Sequence, residues 1–326
     1  MKSLIILFIK RKNNDMIELG DHMETKKMKK KIRVKKKNLA IAIFILMVIV
    51  FLVSSMISAL LTPKEETKKT KKQKVVITNE ERKLQELNHI NEKIDYFNND
   101  FINRYVAYKR KNKDLTDEDI IKQVNMNLDK KQYTYRIEAR NLNTEKILVN
   151  KYYYVAEDYV PEKLKTISKR YALSGMKLVD TAKEAFEEMA EAAEEEDLSI
   201  IAMSSYRSYD YQVNLYNDYV KKDSKDVADT YSGRPGHSEH QTGYAVDVYD
   251  GEIDYTKFEK TKEYKWMMKH AHEYGFILRF PQDKEEETGY HFESWHYRYV
   301  GKEAATYIKE NNISFEEYYA TIIKDW

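Results

Sequence analysis

From Leu39 to Leu61 the chain runs LAIAIFILMVIVFLVSSMISALL without one charged residue. About 20 residues at 1.5 Å rise cross the hydrocarbon core of a bilayer, so this run predicts a transmembrane helix. A secretory signal has a shorter apolar region, roughly 7–15 residues, before a small-residue cleavage site. Cleavage near Ser58 and Ala59 is the alternative; the length favours an uncleaved single-pass anchor.

Beyond that run the apolar positions follow two periods. Thr78 and Glu81 make a capping-box pattern, and Leu84, Leu87, Ile90, Ile94, Phe97 and Phe101 follow at three- and four-residue steps. That spacing predicts a helix. The stripe sustains fewer heptads than a coiled coil needs, so packing against its own domain is favoured over dimerisation. Thr116 and Asp119 open a second capped helix. ILVNKYYYVAEDYVP, ending at Pro161, reads as strand-like. Val179, Ala182, Ala185, Phe186, Met189 and Ala192 then line one face of a helix over residues 178–195. SIIAMSS (199–205) reads as a buried strand and YDYQVNLYNDYV as the helix behind it. GYAVDVYD alternates like a strand, residues 256–274 form another helix, and GFILRF and HYRYV are short strands. Helices and short strands mix without a βαβ period, which predicts an α+β domain. The sequence holds no internal repeat and no Gly-rich phosphate loop.

Charge adds a topology. Residues 1–74 carry 19 of the 56 Lys/Arg and 6 of the 54 Asp/Glu, a net +13; residues 75–326 carry the other 37 and 48, a net −11. KKMKKKIRVKKK directly precedes the apolar run, whereas the basic far side is diluted by Glu65 and Glu66. The heavier Lys/Arg side stays in the cytoplasm, so residues 62–326 are expected outside the cell. The acidic main body argues against nucleic acid as a partner, because phosphate binding needs a basic face. The predicted organisation is a basic cytoplasmic tail (1–38), the span in the lipid bilayer (39–61), a charged linker (62–77), a helical lead segment (78–115) and a catalytic domain (116–326). Met1, Met16 and Met23 are all candidate starts.

With no Cys in the chain, any metal must be held by nitrogen and oxygen. Six of the eight His lie between residues 237 and 296. His240 and Asp247 would stand roughly 23 Å apart in a straight strand, so they can share an ion only if the chain reverses between them. Gly243 is where that turn can occur. His296 offers a third ligand, and Glu293, three residues before it, offers a base for a water attacking a carbonyl. Three protein ligands and one open position are the pattern of a catalytic zinc.

SEHQTGYAVD fits a Ser-x-His-x-x-Gly-x-Ala-x-Asp signature and ESWH a Glu-x-x-His signature. Together they resemble the VanY-like zinc D-alanyl-D-alanine carboxypeptidases, in the wider group of lysostaphin-type enzymes and hedgehog domains. The likeness also takes in SSYRSYDYQ and EYGFILRFPQDKEEETGYHFESWHYRYVG, and runs from about Asp119 to the C-terminus. It implies a small antiparallel sheet flanked by helices. It implies His240, Asp247 and His296 as ligands of Zn2+, and Glu293 as the catalytic base. It further implies Arg207 as the grip on the substrate's terminal carboxylate, with Gln212 and Ser238 as neighbouring substrate contacts. The implied substrate is a peptidoglycan stem peptide ending in D-Ala-D-Ala. An LD-carboxypeptidase acting on the tetrapeptide, and a zinc-stabilised wall-binding module without activity, are the alternatives. Ser294 stands where the family often has Pro, and Gly233 and His237 where other small or polar residues are common.

Other residues carry plainer expectations. His237 is expected as a loop histidine near the site mouth and His291 as a polar wall of the cleft. His270 and His272, two apart on a helix, face different sides and cannot chelate together. Tyr206 and Tyr297 are candidates to line a peptide or sugar groove. Arg207 taken alone is also compatible with an ordinary salt bridge.

Overall fold

The computed structural model describes residues 94–326. The expected tail, membrane span and linker, and the capped start at Thr78, lie outside the described residues. Among the described residues no helix is long and apolar enough to cross a membrane.

Of the stripe that begins at Leu84, only Ile94, Phe97 and Phe101 are described, and there the chain turns instead of continuing a helix. Asn98 is extended and its side chain accepts from the Asp100 N–H, starting a short 3-10 turn, Asn99–Phe101. An Asn side chain that takes a nearby backbone N–H competes with the helix ladder. Helix α1, Ile102–Lys111, follows. Helix α2, Asp117–Asn125, begins where the pattern predicts: Thr116 accepts from the Asp119 N–H, and the Asp119 carboxylate accepts from the Thr116 N–H. The two helices bury Tyr105, Val106, Ile120, Ile121 and Val124 with Phe97 and Phe101 against them. The stripe's aromatic residues are used, in the core of a helix pair.

The Tyr-rich stretch ending at Pro161 forms far less strand than its composition predicts. Only Tyr153–Tyr154 (β2) pairs, in parallel with Ile137–Glu138 (β1). Asn150 Oδ1 accepts from the N–H groups of Tyr152 and Tyr153, which satisfies them locally. A hairpin of β3 (Leu164–Thr166) and β4 (Lys177–Val179) leads into α3, Asp180–Glu194. Its buried face is Ala182, Ala185, Phe186, Met189, Ala190 and Ala193.

Strand β5, Ile201–Ser204, passes into α4, Tyr209–Asp223, which Ser208 caps by accepting from the Tyr211 N–H. A short α5, Lys225–Ala228, and a 3-10 turn, Glu239–Thr242, precede β6, Ala245–Tyr249. The single helix expected over 256–274 is three pieces: a 3-10 run Tyr255–Lys260, helix α6 at Lys262–His270, and a 3-10 turn Ala271–Tyr274. The break falls at Thr261, whose extended backbone and side-chain bond to the Tyr264 N–H start a new helix. Strand β7 (Phe276–Leu278), α7 (Glu285–Thr288) and β8 (His296–Tyr299) follow, then α8 (Lys302–Asn311) and α9 (Phe315–Tyr318).

The main sheet has the order β5-β6-β8-β7 with every pairing antiparallel. Helix α3 packs Phe186 and Met189 on the face that carries Ala202, Val246, Val248, Phe276 and Tyr297. This is the α+β architecture expected from the mixed pattern, with the small antiparallel sheet that the resemblance implies. Its opposite face carries the chemistry.

Candidate metal centre and active-site cavity

Cross-strand register builds the site. Ser204 on β5 pairs with Asp247 on β6, which pairs with His296 on β8. Alternation sends these side chains to the face opposite Val246, Val248 and Tyr297. His240 reaches the same point from the 3-10 turn before β6. The reversal between it and Asp247 uses Gly243, at φ +73°. A Cβ on Gly243 would meet Leu164, Val179 and Pro161 at 3.0–3.1 Å, so the position is restricted by packing as well as by conformation.

Ligand-type atoms of His240, Asp247 and His296 lie within 4.8 Å of one another, and all three residues are buried. His240 Nδ1 lies 2.7 Å from the Ser205 carbonyl, so this nitrogen is the N–H donor and Nε2 keeps its lone pair. Nε2 is 3.3 Å from Asp247 Oδ2. His296 Nδ1 is 3.0 Å from Asp247 Oδ1, yet that buried oxygen has no hydrogen-bond partner. Both atoms thus face a shared point without bonding each other. An orphaned carboxylate oxygen beside two imidazole nitrogens is a donor set that fits zinc.

Glu293 lies beside these groups, with Oε2 3.6 Å from His296 Nδ1. Burial pushes its carboxyl up to about 8, with Asp247 adding to the rise. Burial also lowers the pKa of His240, helped by the nearby Arg207. Burial opposes protonation of His296 as well, but Asp247 and Glu239 outweigh it and raise its pKa. For Asp247 the desolvation penalty is overcome by His240 and Arg207, which hold the carboxyl well below its ordinary range.

A cavity of about 460 Å³ opens over the centre, within the usual size for a small-ligand cleft. Arg207 is in its wall, where Nη2 donates to Asp247 Oδ2 at 2.6 Å and Nε to Ser204 Oγ at 3.0 Å. The ordinary salt bridge considered for Arg207 therefore exists, and its partner is one of the three clustered residues. Ser238, buried, also lines the cavity. Gln212 is placed differently from expectation and is not among the lining residues. Its Nε2 donates to the Gly233 carbonyl at 2.8 Å and Ser232 Oγ at 3.3 Å, bracing the loop that leads to His240.

Three further expectations are corrected. Tyr297 is fully buried in the core on the far face of β8, because it alternates with His296. Tyr206 is not among the lining residues either; the aromatic wall is Tyr211, Tyr219, Tyr231, Tyr255, Phe280, Tyr290 and Trp295. His291 is exposed, faces Glu285 at 3.3 Å and is absent from the cavity wall. His237 does line the cavity but is a buried, bonded residue. Its Nδ1 lies 2.7 Å from the Asn150 carbonyl and its Nε2 accepts from Arg136 Nε at 3.2 Å. Burial holds its imidazole at about 4.

Sequence reasoning passed over Glu239, Arg279 and Arg298. The two arginines are 1% and 0% exposed and converge on Glu239. The signal was present: an Arg inside GFILRF and another inside HYRYV, each flanked by apolar residues, must find a buried carboxylate.

A family model described as VanY, D-alanyl-D-alanine carboxypeptidase, matches residues 175–302. The chain is 36% identical over 197 residues to a Bacillus subtilis protein named putative carboxypeptidase YodJ, covering 56% of this chain and 70% of that one. It is 36% identical over 181 residues to a D-alanyl-D-alanine carboxypeptidase of Enterococcus faecium, covering 53% of this chain and 56% of that one. A solved structure of the LdcB LD-carboxypeptidase, described as revealing the basis of peptidoglycan recognition, superposes with a TM-score of 0.53. That match has 34% identity and covers 57% of this chain and 90% of the other.

Proposed function

Because this chain belongs to the VanY family of D-alanyl-D-alanine carboxypeptidases, we propose that it removes the terminal D-alanine from peptidoglycan stem peptides ending in D-Ala-D-Ala. We further propose that it does so as a zinc enzyme on the outer side of the cell membrane, anchored by residues 39–61. The observation that carries the metal reading is the convergence of His240, Asp247 and His296 beneath a cavity walled by Glu293 and Arg207.

His240 Nε2, Asp247 and His296 Nδ1 would hold the ion. The chemistry a bound zinc supplies is polarisation of the scissile carbonyl and acidification of the attacking water. Glu293, in its ionised form, accepts the water's proton and returns it to the leaving amine of D-alanine. Its buried setting favours that second step, since a carboxyl with a raised pKa holds a proton readily and gives it up to an amine. Arg207 binds the terminal carboxylate through its guanidinium, which orients the last peptide bond over the centre. Its Nη1 makes no hydrogen bond among the described residues, which leaves that nitrogen available to the carboxylate.

The likeness to LdcB supports a second reading, an LD-carboxypeptidase that takes D-alanine from the tetrapeptide. Incubating zinc-loaded protein with defined penta- and tetrapeptide and weighing the products separates the two. Loss of one alanine from the pentapeptide alone is expected. Cleavage of the tetrapeptide alone would favour the second reading, and no released alanine from either would end both.

A further inference from the structure

Glu239 has no part in the chemistry above, yet its carboxylate stands behind one of the clustered imidazoles. The residue directly precedes His240, and its side chain is 3% exposed. Oε1 accepts from Arg279 Nε at 2.7 Å and from Arg298 Nη1 at 3.0 Å. The two remaining nitrogens of Arg279 fork onto Glu316 at 2.8 and 2.6 Å. Arg298 in turn donates to the carbonyls of Glu145 and Ile147. Two guanidiniums and two carboxylates thus form a charge-balanced, hydrogen-bonded lattice in the interior, which is the condition for burying charge at all.

Oε2 of Glu239 is spare. It is buried without a hydrogen-bond partner, and so is His296 Nε2, which lies 3.5 Å away. A buried polar group left unmatched is destabilising. A closure of a few tenths of an ångström satisfies both at once. We propose that Glu239 is a positioning residue for the metal centre: it takes the Nε2–H of His296, so that Nδ1 alone presents a lone pair beside Asp247. The inference rests on the zinc reading given above.

A pattern within the site supports the assignment. His240 has its Nδ1 tied to the Ser205 carbonyl and offers Nε2; His296 has its Nε2 facing Glu239 and offers Nδ1. Opposite nitrogens are used, and each choice is dictated by what stands behind the ring. A carboxylate behind a ligating imidazole fixes the tautomer and raises the ring's basicity, and its loss typically weakens metal affinity about 10- to 100-fold. The two arginines compensate the charge of this carboxylate in so dry a place and tie its Oε1 away from His240 and Asp247.

The test has two arms. In the first, nitrogen-15 NMR of the histidine rings in the unaltered zinc-loaded protein reports which nitrogen of His296 carries the proton. Protonated Nε2 with zinc at Nδ1 is expected; the reverse tautomer would overturn the assignment, and no variant need fold for that result. In the second, zinc affinity by chelator competition is compared with KM at saturating zinc. Glu239→Ala is expected to weaken zinc about 10- to 100-fold, Glu239→Gln less, because its amide oxygen can still accept; KM at full loading stays that of the unaltered protein. Unchanged zinc affinity in a folded Glu239→Ala would sink the proposal. Failure of the unaltered protein to bind zinc would instead defeat the metal reading on which the proposal stands.

Discussion

Asp247 and His296 stand directly opposite one another across β6 and β8, with Ser204 facing Asp247 from β5. Two candidate ligands are therefore set by sheet register, and only His240 comes from outside the strands. Side chains alternate along a strand, so a slip of one residue would bring Tyr297 or Val246 to the site and send Asp247 and His296 into the core. The apolar face against α3 resists that slip, since Val246, Val248 and Tyr297 are all 0% exposed. The packing that stabilises the sheet also holds the site in register.

Glu293→Ala is expected to keep its zinc and lose turnover by about 10²–10⁴-fold, the range for removal of a general acid–base group. Zinc content and D-alanine release measured on the same sample check this. Full turnover in the variant would remove Glu293 from the mechanism.

The acid side of the pH profile should carry the same residue. Only the ionised carboxyl can accept a proton, so kcat/KM rises with pH through the Glu293 pKa. Burial places that pKa at about 8 without metal, against 4.5 for a solvated glutamate. A nearby cation lowers it, so the acid limb with zinc bound is expected between those two values. A limb at or below 4.5 would mean that the titrating base is a different, solvated group.

Replacing Arg207 by Ala should act on substrate choice. The guanidinium's bond to a terminal carboxylate is charge-assisted, and such bonds are worth about 1.5–3 kcal/mol, roughly ten- to a hundredfold in kcat/KM. Arg207 also donates to Asp247, so the comparison belongs at saturating zinc. The preference for a free over an amidated C-terminus is expected to fall by that factor. If the preference survives intact, the carboxylate is held elsewhere.

Gly243→Ala should destabilise the fold and the centre together. The residue sits at φ +73°, and an added Cβ would press on Leu164, Val179 and Pro161. Forcing a side chain into that backbone region costs about 1–3 kcal/mol. Urea titration would show a lower midpoint at an unchanged slope; an unchanged midpoint would mean the turn tolerates Ala.

His237 makes stability depend on pH. Its folded pKa is about 4 against 6.5 in the free imidazole, because burial disfavours the charged ring. Below pH 6.5 the unfolded chain takes up a proton that the folded chain refuses until about pH 4. Stability therefore falls as pH drops through that window, by at most about 1.4 kcal/mol per unit. His237→Gln, which keeps one donor and one acceptor, should flatten this part of the curve at matched metal loading. Parallel curves for the two proteins would assign the loss to other groups.

Much of this site was legible in one dimension because its chemistry is written in short local patterns. The turn at Gly243, the alternation AVD and the i, i+3 pair Glu293 and His296 singled out the residues that the fold brings together. Capping residues likewise placed the start of α2, since a cap is a bond between neighbours in the chain. The Tyr-rich stretch and the 256–274 helix were misjudged for the same kind of reason: Asn150 and Thr261 satisfy backbone groups locally, and apolar periodicity does not register such bonds.

What the linear order alone determined was which residue types could do hydrolysis and at what spacing. The tertiary structure decided which nitrogen each imidazole turns toward Asp247, that Arg207 touches Asp247, that Gln212 braces a loop, and that Glu239 sits among arginines far along the chain. The physical reason is range. Periodicity and capping act within a few residues, whereas tautomer choice and buried charge balance depend on groups from β5, β6, β8 and the C-terminal helices that meet only once the sheet has closed.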